Sequence, residues 1–278
     1  MIFQKEILTS RQNPLIKWVA SLQDKKYREE YKSFIAEGAK LTFEAAAAAL
    51  PITHVFVSKS KIDFYREKIE GAFSSSVYSN CQIITVADEV LDKISTEKAP
   101  QGIISVIKHL DFFRHLDIIY KEEFFVKDGE RAIALCSVRD PGNLGAVIRS
   151  SVAFGVEHII LSADSADIYN PKTIRSAMGS LFSVRVTVVR DFASFIESAI
   201  FAKRRVFAAE LTQNAVSLKD VNLSSNDIFM IGNEGHGIPK EISEKCTASV
   251  YIPISSKTES LNASVAASVF MWEQSKID

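Results

Sequence analysis

A stretch near the middle of the chain combines a strand, a tight turn and a helix. Residues 132–154 are AIALCSVRDPGNLGAVIRSSVAF. Residues 132–138 are almost uniformly apolar, as expected for a strand that is covered on both faces of a parallel sheet. Pro141 and Gly142 then favour a turn, and Asn143 is a good N-cap for a following helix. The apolar residues after it have the spacing of one buried helix face: Leu144, Ile148 and Val152.

The same alternation of strands and helices continues on both sides of this unit, which predicts an α/β fold. Upstream, we predict strands at 34–36, 53–57, 82–86 and 102–107, with helices at 13–22, 38–49, 61–69 and 88–94. Downstream, we predict strands at 158–161, 184–188, 205–209, 228–231 and 249–252. Predicted helices cover 143–154, 171–178, 192–202 and 261–274. We expect an N-terminal domain over 1–107, a linker with an amphipathic helical turn over 108–130, and a C-terminal domain over 131–278.

Composition and charge exclude several classes of protein. The 278 residues include 33 Lys and Arg against 34 Asp and Glu, so a disordered chain and a strongly cationic coat protein are excluded. We predict a cytoplasmic protein, because no signal-peptide pattern and no apolar stretch of membrane-spanning length occurs. The three cysteines and five histidines do not cluster, so we expect no metal site and no disulfide framework.

The first 40 residues carry a local surplus of positive charge, with eight Lys and Arg against five Asp and Glu. This surplus predicts a patch that contacts RNA phosphates, with Trp18, Tyr27 and Tyr31 available for stacking. The candidate RNA-binding residues are Arg11, Lys17, Lys25, Lys26 and Arg28. The alternative is a solvated helix face with i, i+4 ion pairs, and charge alone favours that alternative.

Three polar loops follow predicted strands, at the edge where parallel sheets bind ligands. The first loop is residues 139–149 (RDPGNLGAVIR), the second is 231–238 (IGNEGHGI), and the third is 252–264 (IPISSKTESLNAS). The second loop holds three of the 11 glycines within six residues, yet it fits neither Gly-x-Gly-x-x-Gly nor a Walker loop. Glu234 and His236 could form an acid/base pair, but a glutamate that bonds the amides of its own loop is favoured. In the third loop, Ser260 is a plausible N-cap, and the predicted packing face of the last helix is Leu261, Val265, Val269 and Trp272.

Taken together and in this order, the three loops resemble the three motifs of the SpoU/TrmH family of RNA 2′-O-ribose methyltransferases, within the SPOUT superfamily. Residues 143–149, 232–238 and 252–264 carry the resemblance, and residues 168–179 resemble the segment between the first two motifs. The N-terminal domain is similar, more weakly, to the small α/β ribosomal-protein-like domain that members use to hold RNA. Two departures occur in the third loop, where many members have glycine at Ser256 and valine at Ala263.

The resemblance implies a C-terminal SPOUT methyltransferase domain with a mostly parallel sheet and a trefoil knot, which is rare among folds. It implies S-adenosyl-L-methionine as cofactor and a homodimer in which Arg149 of one chain serves the pocket of the other. The implied cofactor-binding residues are Gly232, Asn233, Ile252, Pro253 and Leu261. The implied catalytic residues are Arg149, Asn143, Glu234, Ser260 and Asn262.

The expected role of Arg149 follows from its chemistry, because a guanidinium normally stays protonated. We expect Arg149 to bind the phosphate beside the target ribose and to orient the 2′-hydroxyl, with or without transient action as a base. The expected substrate is ribosomal RNA, by analogy with members that carry an added N-terminal domain. The alternatives are transfer RNA methylation and a non-catalytic RNA-binding protein on the same scaffold. A dinucleotide-dependent reductase is disfavoured, because Gly142-Asn-Leu-Gly145 lacks the required glycine spacing.

Overall fold

The computed structural model describes residues 6–117 and 124–277, and the chain divides into two compact units. Unit 1 contains the residues up to Leu110 together with Asp167–Phe182. Unit 2 contains Asp111–Ala166 and the residues from Ser183 onward. No helix within the described ranges is long and apolar enough to cross a membrane.

Unit 1 is built on a four-stranded mixed sheet. Its elements from the first 110 residues are α1 (Pro14–Ser21), α2 (Lys25–Tyr31), β1 (Ser33–Glu37), α3 (Ala39–Ala47), β2 (Ile52–Ser58), α4 (Ile62–Ala72), β3 (Gln82–Val86), α5 (Asp88–Ile94) and β4 (Ile103–Lys108). The strand order is β1–β4–β2–β3, and only β2 and β3 pair in parallel. The core on one face joins Ile16 and Val19 of α1 to apolar residues of the strands and of α5.

Unit 2 is built on an eight-stranded sheet in which every neighbouring pair in the described residues is parallel. The remaining elements of the chain are β5 (Phe113–Leu116), β6 (Ala132–Leu135), α6 (Pro141–Ala153), β7 (His158–Ser162), α7 (Pro171–Ala177), β8 (Arg185–Val189), α8 (Phe192–Phe201), β9 (Val206–Ala209), β10 (Val216–Ser217), β11 (Ile228–Ile231), α9 (Lys240–Ser243), β12 (Ala248–Tyr251) and α10 (Ala263–Gln274). The strand order is β10–β12–β9–β11–β6–β7–β8–β5.

The central strands of unit 2 are fully buried, as their unbroken apolar sequences predict. The four residues of β6 and the four residues of β11 are all buried. Ile231 pairs with Leu135, and Leu135 pairs with Leu161, so the carboxyl ends of these strands are level. The predicted α/β class with a mostly parallel C-terminal sheet is therefore confirmed, whereas the trefoil knot stays a prediction.

Two local features in the region of residues 108–143 differ from the sequence-based picture. Within the expected linker, Phe113–Leu116 form β5, an edge strand that pairs with β8; the expected helical turn does not occur in the described part of 108–130, and residues 118–123 lie outside the described residues. Helix α6 begins at Pro141, two residues earlier than expected, and its N-cap is Asp140 rather than Asn143. The Asp140 carboxylate accepts the Asn143 amide at 2.8 Å, so the Asn143 side chain is free for other contacts.

The predicted packing faces of two helices also need correction. In α6, Leu144 and Ile148 are buried, but Val152 is 38% exposed. In α10, Val265 and Trp272 are 48% and 49% exposed, and the buried residues are Ala263, Ala267, Phe270, Met271 and Gln274. The packed face of α10 therefore combines two alanines with Phe270 and Met271, while Val265 and Trp272 lie on its outer side.

Helix α7 belongs to unit 1, where Asp167 forms an ion pair with Arg28 of α2. Arg28 Nη2 lies 2.6 Å from Asp167 Oδ2, and Arg28 Nη1 donates to the carbonyls of Leu22 and Gln23. Arg28 is only 2% exposed. The expectation that Arg28 contacts RNA is therefore wrong, because its guanidinium is fully engaged inside unit 1.

Candidate functional site

The three loops come together at the carboxyl edge of the unit 2 sheet. The first loop follows β6, the second follows β11, and the third follows β12. Strands β6 and β11 are direct neighbours, and β9 separates β11 from β12. Parallel pairing places all three loops at the same edge, as the sequence predicts.

Side-chain hydrogen bonds connect the three loops through Asn143. Asn143 Nδ2 donates to Glu234 Oε1 at 2.5 Å, and Asn143 Oδ1 accepts from Asn262 Nδ2 at 3.1 Å. Three of the predicted catalytic residues thus form one continuous network, although they are 91 and 119 residues apart along the chain. An amide is suited to this position because it donates to a carboxylate while it accepts from a second amide.

Asn233, rather than Glu234, holds the second loop in shape. Asn233 Oδ1 accepts from the amides of Gly235 at 2.8 Å and His236 at 3.2 Å. Asn233 Nδ2 donates to the Ser137 carbonyl at 2.8 Å, which ties the second loop to the end of β6. The expectation that Glu234 bonds the amides of its own loop is therefore wrong, since its carboxylate accepts from Asn143 instead.

Gly232 lies where the backbone of the second loop folds back on itself. A Cβ atom at this position would lie 2.4 Å from Gly237 C and 2.6 Å from Ile238 N. The amide of Asn233 donates to the carbonyl of Gly237, and the amide of Gly237 donates to the carbonyl of Asn233. Gly237 itself has φ +67°, a conformation that glycine adopts without strain.

Asn262 serves both as helix cap and as part of the network. Its Oδ1 accepts from the amides of Ser264 at 2.9 Å and Val265 at 3.4 Å, so it is the N-cap of α10. The prediction that Ser260 caps this helix is wrong by two residues. Because Asn262 Oδ1 faces the helix terminus, its Nδ2 is directed to Asn143.

A cavity of about 690 Å³ lies beside the second and third loops. All five predicted cofactor-binding residues line it, namely Gly232, Asn233, Ile252, Pro253 and Leu261. Glu234 and Ser260 line it as well, and so does Ser256. Its described walls carry three carboxylates, Glu210, Glu234 and Glu259, but no Lys, Arg or His.

Glu210 is a cavity residue that the sequence analysis missed. It follows β9 directly, and its Oε1 accepts from the hydroxyls of Ser243 and Ser249, each at 2.7 Å. A carboxylate at the end of an apolar strand was the available signal. It was missed because no glycine cluster accompanies it.

Arg149 lies apart from the cavity walls of its own chain. Its side chain is exposed, and it makes no hydrogen bond or ion pair with any residue in the described ranges. It projects from α6, which packs against α10, where Ser268 Oγ donates to Ser150 Oγ at 2.8 Å. The structure therefore places Asn143, Glu234 and Asn262 together and leaves Arg149 outside that network.

A second network fixes the end of β6 just before the first loop. Ser137 has φ +57°, which is uncommon for a residue other than glycine. Its Oγ donates to Asp164 Oδ2 at 2.6 Å, and its amide donates to Ser162 Oγ at 2.7 Å. Burial acts to raise the pKa of Asp164, but hydrogen bonds from Ser137, Ser162 and Arg139 outweigh it and lower that pKa. The ionised carboxylate therefore holds Ser137, whose carbonyl in turn anchors Asn233.

The remaining predicted RNA-binding residues lie on the surface of unit 1. Arg11 Nε donates to the Glu89 carbonyl at 2.7 Å, and Lys25 pairs with Glu29 at 3.6 Å. Lys17 is exposed, and the Lys26 ammonium lies 5.4 Å from the centre of the Tyr27 ring. Of the predicted set, Arg11, Lys17 and Lys26 thus have no carboxylate partner in the described residues.

No group of three or more His, Cys, Asp or Glu in the described ranges is arranged to hold a metal ion. All three cysteines are free thiols. Burial raises the pKa of the Cys81 and Cys246 thiols to about 12, so neither is a reactive thiolate at neutral pH.

Comparison with known proteins assigns both parts of the chain. Residues 130–272 match the SpoU rRNA Methylase family, and residues 13–105 match the MRM3-like substrate binding domain. The chain is 27% identical to the 23S rRNA (guanosine(2553)-2′-O)-methyltransferase RlmP of Bacillus subtilis, over 95% of this chain and 97% of that protein. It is 25% identical to the 23S rRNA (uridine(2479)-2′-O)-methyltransferase of Streptomyces viridochromogenes, over 96% of this chain and 90% of that protein.

The structure is also similar to that of an AdoMet-bound rRNA methyltransferase from Sinorhizobium meliloti. The TM-score is 0.82 with 27% identity, and the match covers 98% of this chain and 97% of that chain. The parallel sheet with three interacting loops at its carboxyl edge is thus that of a SPOUT methyltransferase. The chain belongs to the SpoU rRNA methylase family.

Proposed function

We propose that this protein transfers a methyl group from S-adenosyl-L-methionine to a ribose 2′-hydroxyl of ribosomal RNA. The observation that carries the proposal is the network of Asn143, Glu234 and Asn262 beside a cavity with acidic walls. The names of the relatives from Bacillus and Streptomyces support ribosomal RNA as the substrate. A ribosomal RNA substrate in turn favours the cytoplasm as the site of action.

The cavity fits the cofactor in both size and charge. Its volume lies in the range of small-molecule sites, and Ile231, Ile252 and Leu261 offer apolar surface to an adenine ring. S-adenosyl-L-methionine carries a positive sulfonium and an ammonium group, which suits walls with carboxylates and no cationic side chain. When bound, the cofactor supplies an electrophilic methyl group, so the protein has mainly to align the ribose oxygen with it.

The residues of the chain would divide this work between them. Asn143 fixes the relative positions of the second and third loops, because it bonds Glu234 and Asn262 at once. Gly232, Asn233, Ile252, Pro253 and Leu261 would hold the cofactor. Ser260 lies in the wall of the same cavity and would contact the substrate. Arg149, which has no partner among the described residues, would bind the RNA phosphate and orient the 2′-hydroxyl.

A homodimer would bring Arg149 to a cavity. Helices α6 and α10 pack together and expose Val152, Val265 and Trp272, which are unusually apolar for a surface. Arg149 lies on α6, three residues from Val152. We infer that these helices form the interface and that Arg149 of one chain serves the cavity of its partner.

The test is methyl transfer from labelled S-adenosyl-L-methionine to ribosomal RNA and, in parallel, to transfer RNA. The position is then found by mapping ribose methylation in cells with and without the protein. We expect labelled ribosomal RNA with the wild type, and no transfer but nearly unchanged cofactor affinity with Arg149→Ala. Label in transfer RNA alone would refute the proposal that ribosomal RNA is the substrate. Cofactor binding without any methyl transfer would favour a non-catalytic RNA-binding protein. Undiminished turnover by Arg149→Ala would remove Arg149 from the mechanism.

A further inference from the structure

Four aromatic side chains of unit 1 form a cluster that we call the aromatic surface: Trp18, Tyr27, Tyr31 and His54. The Tyr27 and Tyr31 rings are nearly parallel, at 12°, with centres 6.2 Å apart. The Trp18 ring meets Tyr31 edge-on at 6.2 Å and meets His54 at 5.3 Å. Tyr31 is 38% exposed, so the cluster reaches solvent.

The hydrogen bonding of the aromatic surface differs from that of the other tyrosines in unit 1. The hydroxyls of Tyr65 and Tyr78 donate to backbone carbonyls, and the Tyr169 hydroxyl accepts from the Leu110 amide. By contrast, the Tyr27 and Tyr31 hydroxyls and Trp18 Nε1 make no hydrogen bond with any described residue. Trp18 and Tyr27 are half-buried and Tyr31 is exposed, so their polar atoms remain available to a ligand.

The charge around the aromatic surface is positive. Lys17, Lys25, Lys26 and Lys32 lie on or beside α1 and α2, and Lys108 lies at the end of β4. Burial lowers the pKa of His54, and the nearby Lys108 ammonium lowers it further, so His54 is a neutral ring at pH 7. The same helices and their ends carry three carboxylates, of Asp24, Glu29 and Glu30, and Glu29 is already paired with Lys25.

We propose that the aromatic surface stacks unpaired bases of the RNA substrate, while the surrounding lysines contact its phosphates. This proposal rests on the proposed function for the identity of the RNA. Flat rings with free polar atoms beside lysines are the combination by which proteins bind single-stranded nucleic acid without base-specific contacts. The aromatic rings alone would also suit a protein partner, but the surplus of lysines favours a polyanion. Single-stranded RNA matches both features, because its bases stack on the rings and its phosphates attract the lysines.

The test uses the full-length protein and a short single-stranded oligouridylate. Trp18 and Trp272 are the only tryptophans, so a base that stacks near Trp18 should quench about half of the intrinsic fluorescence. We expect this quenching to disappear in Trp18→Phe, and affinity for oligouridylate to fall about tenfold in Tyr31→Leu. Tyr31→Phe keeps the ring and should bind nearly as the wild type does.

Two controls separate base stacking from charge. Heparin has no bases, so it should bind to the wild type and to Tyr31→Leu equally and should quench little. The salt dependence of oligouridylate binding should keep its slope in Tyr31→Leu, whereas Lys26→Gln should reduce the slope by about 0.7. Phe64→Leu alters an aromatic side chain of α4 that is 71% exposed, and it should change neither measurement.

Equal affinity of Tyr31→Leu and the wild type for oligouridylate would overturn the proposal. An equal loss of heparin binding in Tyr31→Leu would overturn it too, because the effect would then not depend on bases. These outcomes are independent of methyl transfer, which is measured separately with ribosomal RNA. Base stacking without methyl transfer would thus refute the proposed function and leave the aromatic surface as an RNA-binding surface.

Discussion

Substitution of Gly232 by alanine tests whether the close backbone approach in the second loop builds the cofactor cavity. The added Cβ would lie 2.4 Å from Gly237 C, 2.6 Å from Ile238 N and 2.7 Å from Gly237 O. All three contacts are with backbone atoms, so no side chain can rotate away and the loop itself must open. Overpacking of this kind costs about 1–3 kcal/mol.

The effect should fall on cofactor binding, because Gly232, Asn233 and Gly237 all line the cavity. If most of this overpacking cost falls on the cofactor-bound state, the affinity for S-adenosyl-L-methionine falls by roughly 5- to 150-fold, because each 1.4 kcal/mol corresponds to a factor of ten. Isothermal titration calorimetry gives the dissociation constant, and thermal unfolding shows whether unit 2 still folds.

Gly235→Ala is the matched control within the same loop. The nearest atom to a Cβ at Gly235 is Asn233 Oδ1 at 3.4 Å, an ordinary contact, and Gly235 does not line the cavity. We expect this variant to bind the cofactor within about twofold of the wild type. Equal affinity of Gly232→Ala and Gly235→Ala for the cofactor would refute the reasoning.

Three further predictions concern the hydrogen bond from Asn143 to Glu234, the ion pair of Arg28 with Asp167, and the pH dependence of stability that arises from His109. Asn143→Asp would place a second carboxylate against Glu234, so kcat should fall about 100-fold or more; steady-state kinetics with an unchanged kcat would contradict this. Arg28→Ala would leave the Asp167 carboxylate without its partner and should lower the free energy of unfolding, measured by urea denaturation, by about 3–5 kcal/mol. A loss below about 1 kcal/mol would show that this ion pair is not a major source of stability. Burial lowers the pKa of His109 from 6.5 to about 4, so the unfolded chain takes up the proton first. The contribution of the neutral His109 ring to the free energy of unfolding is therefore complete above about pH 6.5, and it is lost as the pH falls towards 4. Urea unfolding of His109→Phe should show a weaker dependence on pH over this range, and an unchanged dependence would assign it to other groups.

The strands and loops of unit 2 could be predicted because their signals are local. Uninterrupted apolar runs mark β6 and β11, and the glycines of the second loop mark the place where the backbone turns on itself at Gly232. The resemblance of the three loops supplied the residues of the cavity. In contrast, β5 has the half-exposed sequence FRHL and is ordered by pairing with β8, which no local pattern reveals.

The contacts that sequence reasoning missed are those between residues distant along the chain. The sequence around Arg28 does not predict its ion pair with Asp167. Likewise, the sequence around Glu234 does not predict that its carboxylate accepts a hydrogen bond from Asn143. The outward position of Trp272 was missed for a related reason. The packed face of α10 is determined by the helix and sheet beneath it, and small residues such as Ala263 and Ala267 fit there.

The placement of residues 167–182 in unit 1 has a consequence for synthesis of the chain. Asp167 is made 139 residues after Arg28. At about 5–20 residues per second, the Arg28 side chain exists for roughly 7–28 s before its partner is synthesised. During that interval the carbonyls of Leu22 and Gln23 are its only described partners, and α7 cannot yet cover β1. Unit 1 therefore cannot complete its folding when its first 110 residues have emerged from the ribosome, and must wait until residues 167–182 have been translated.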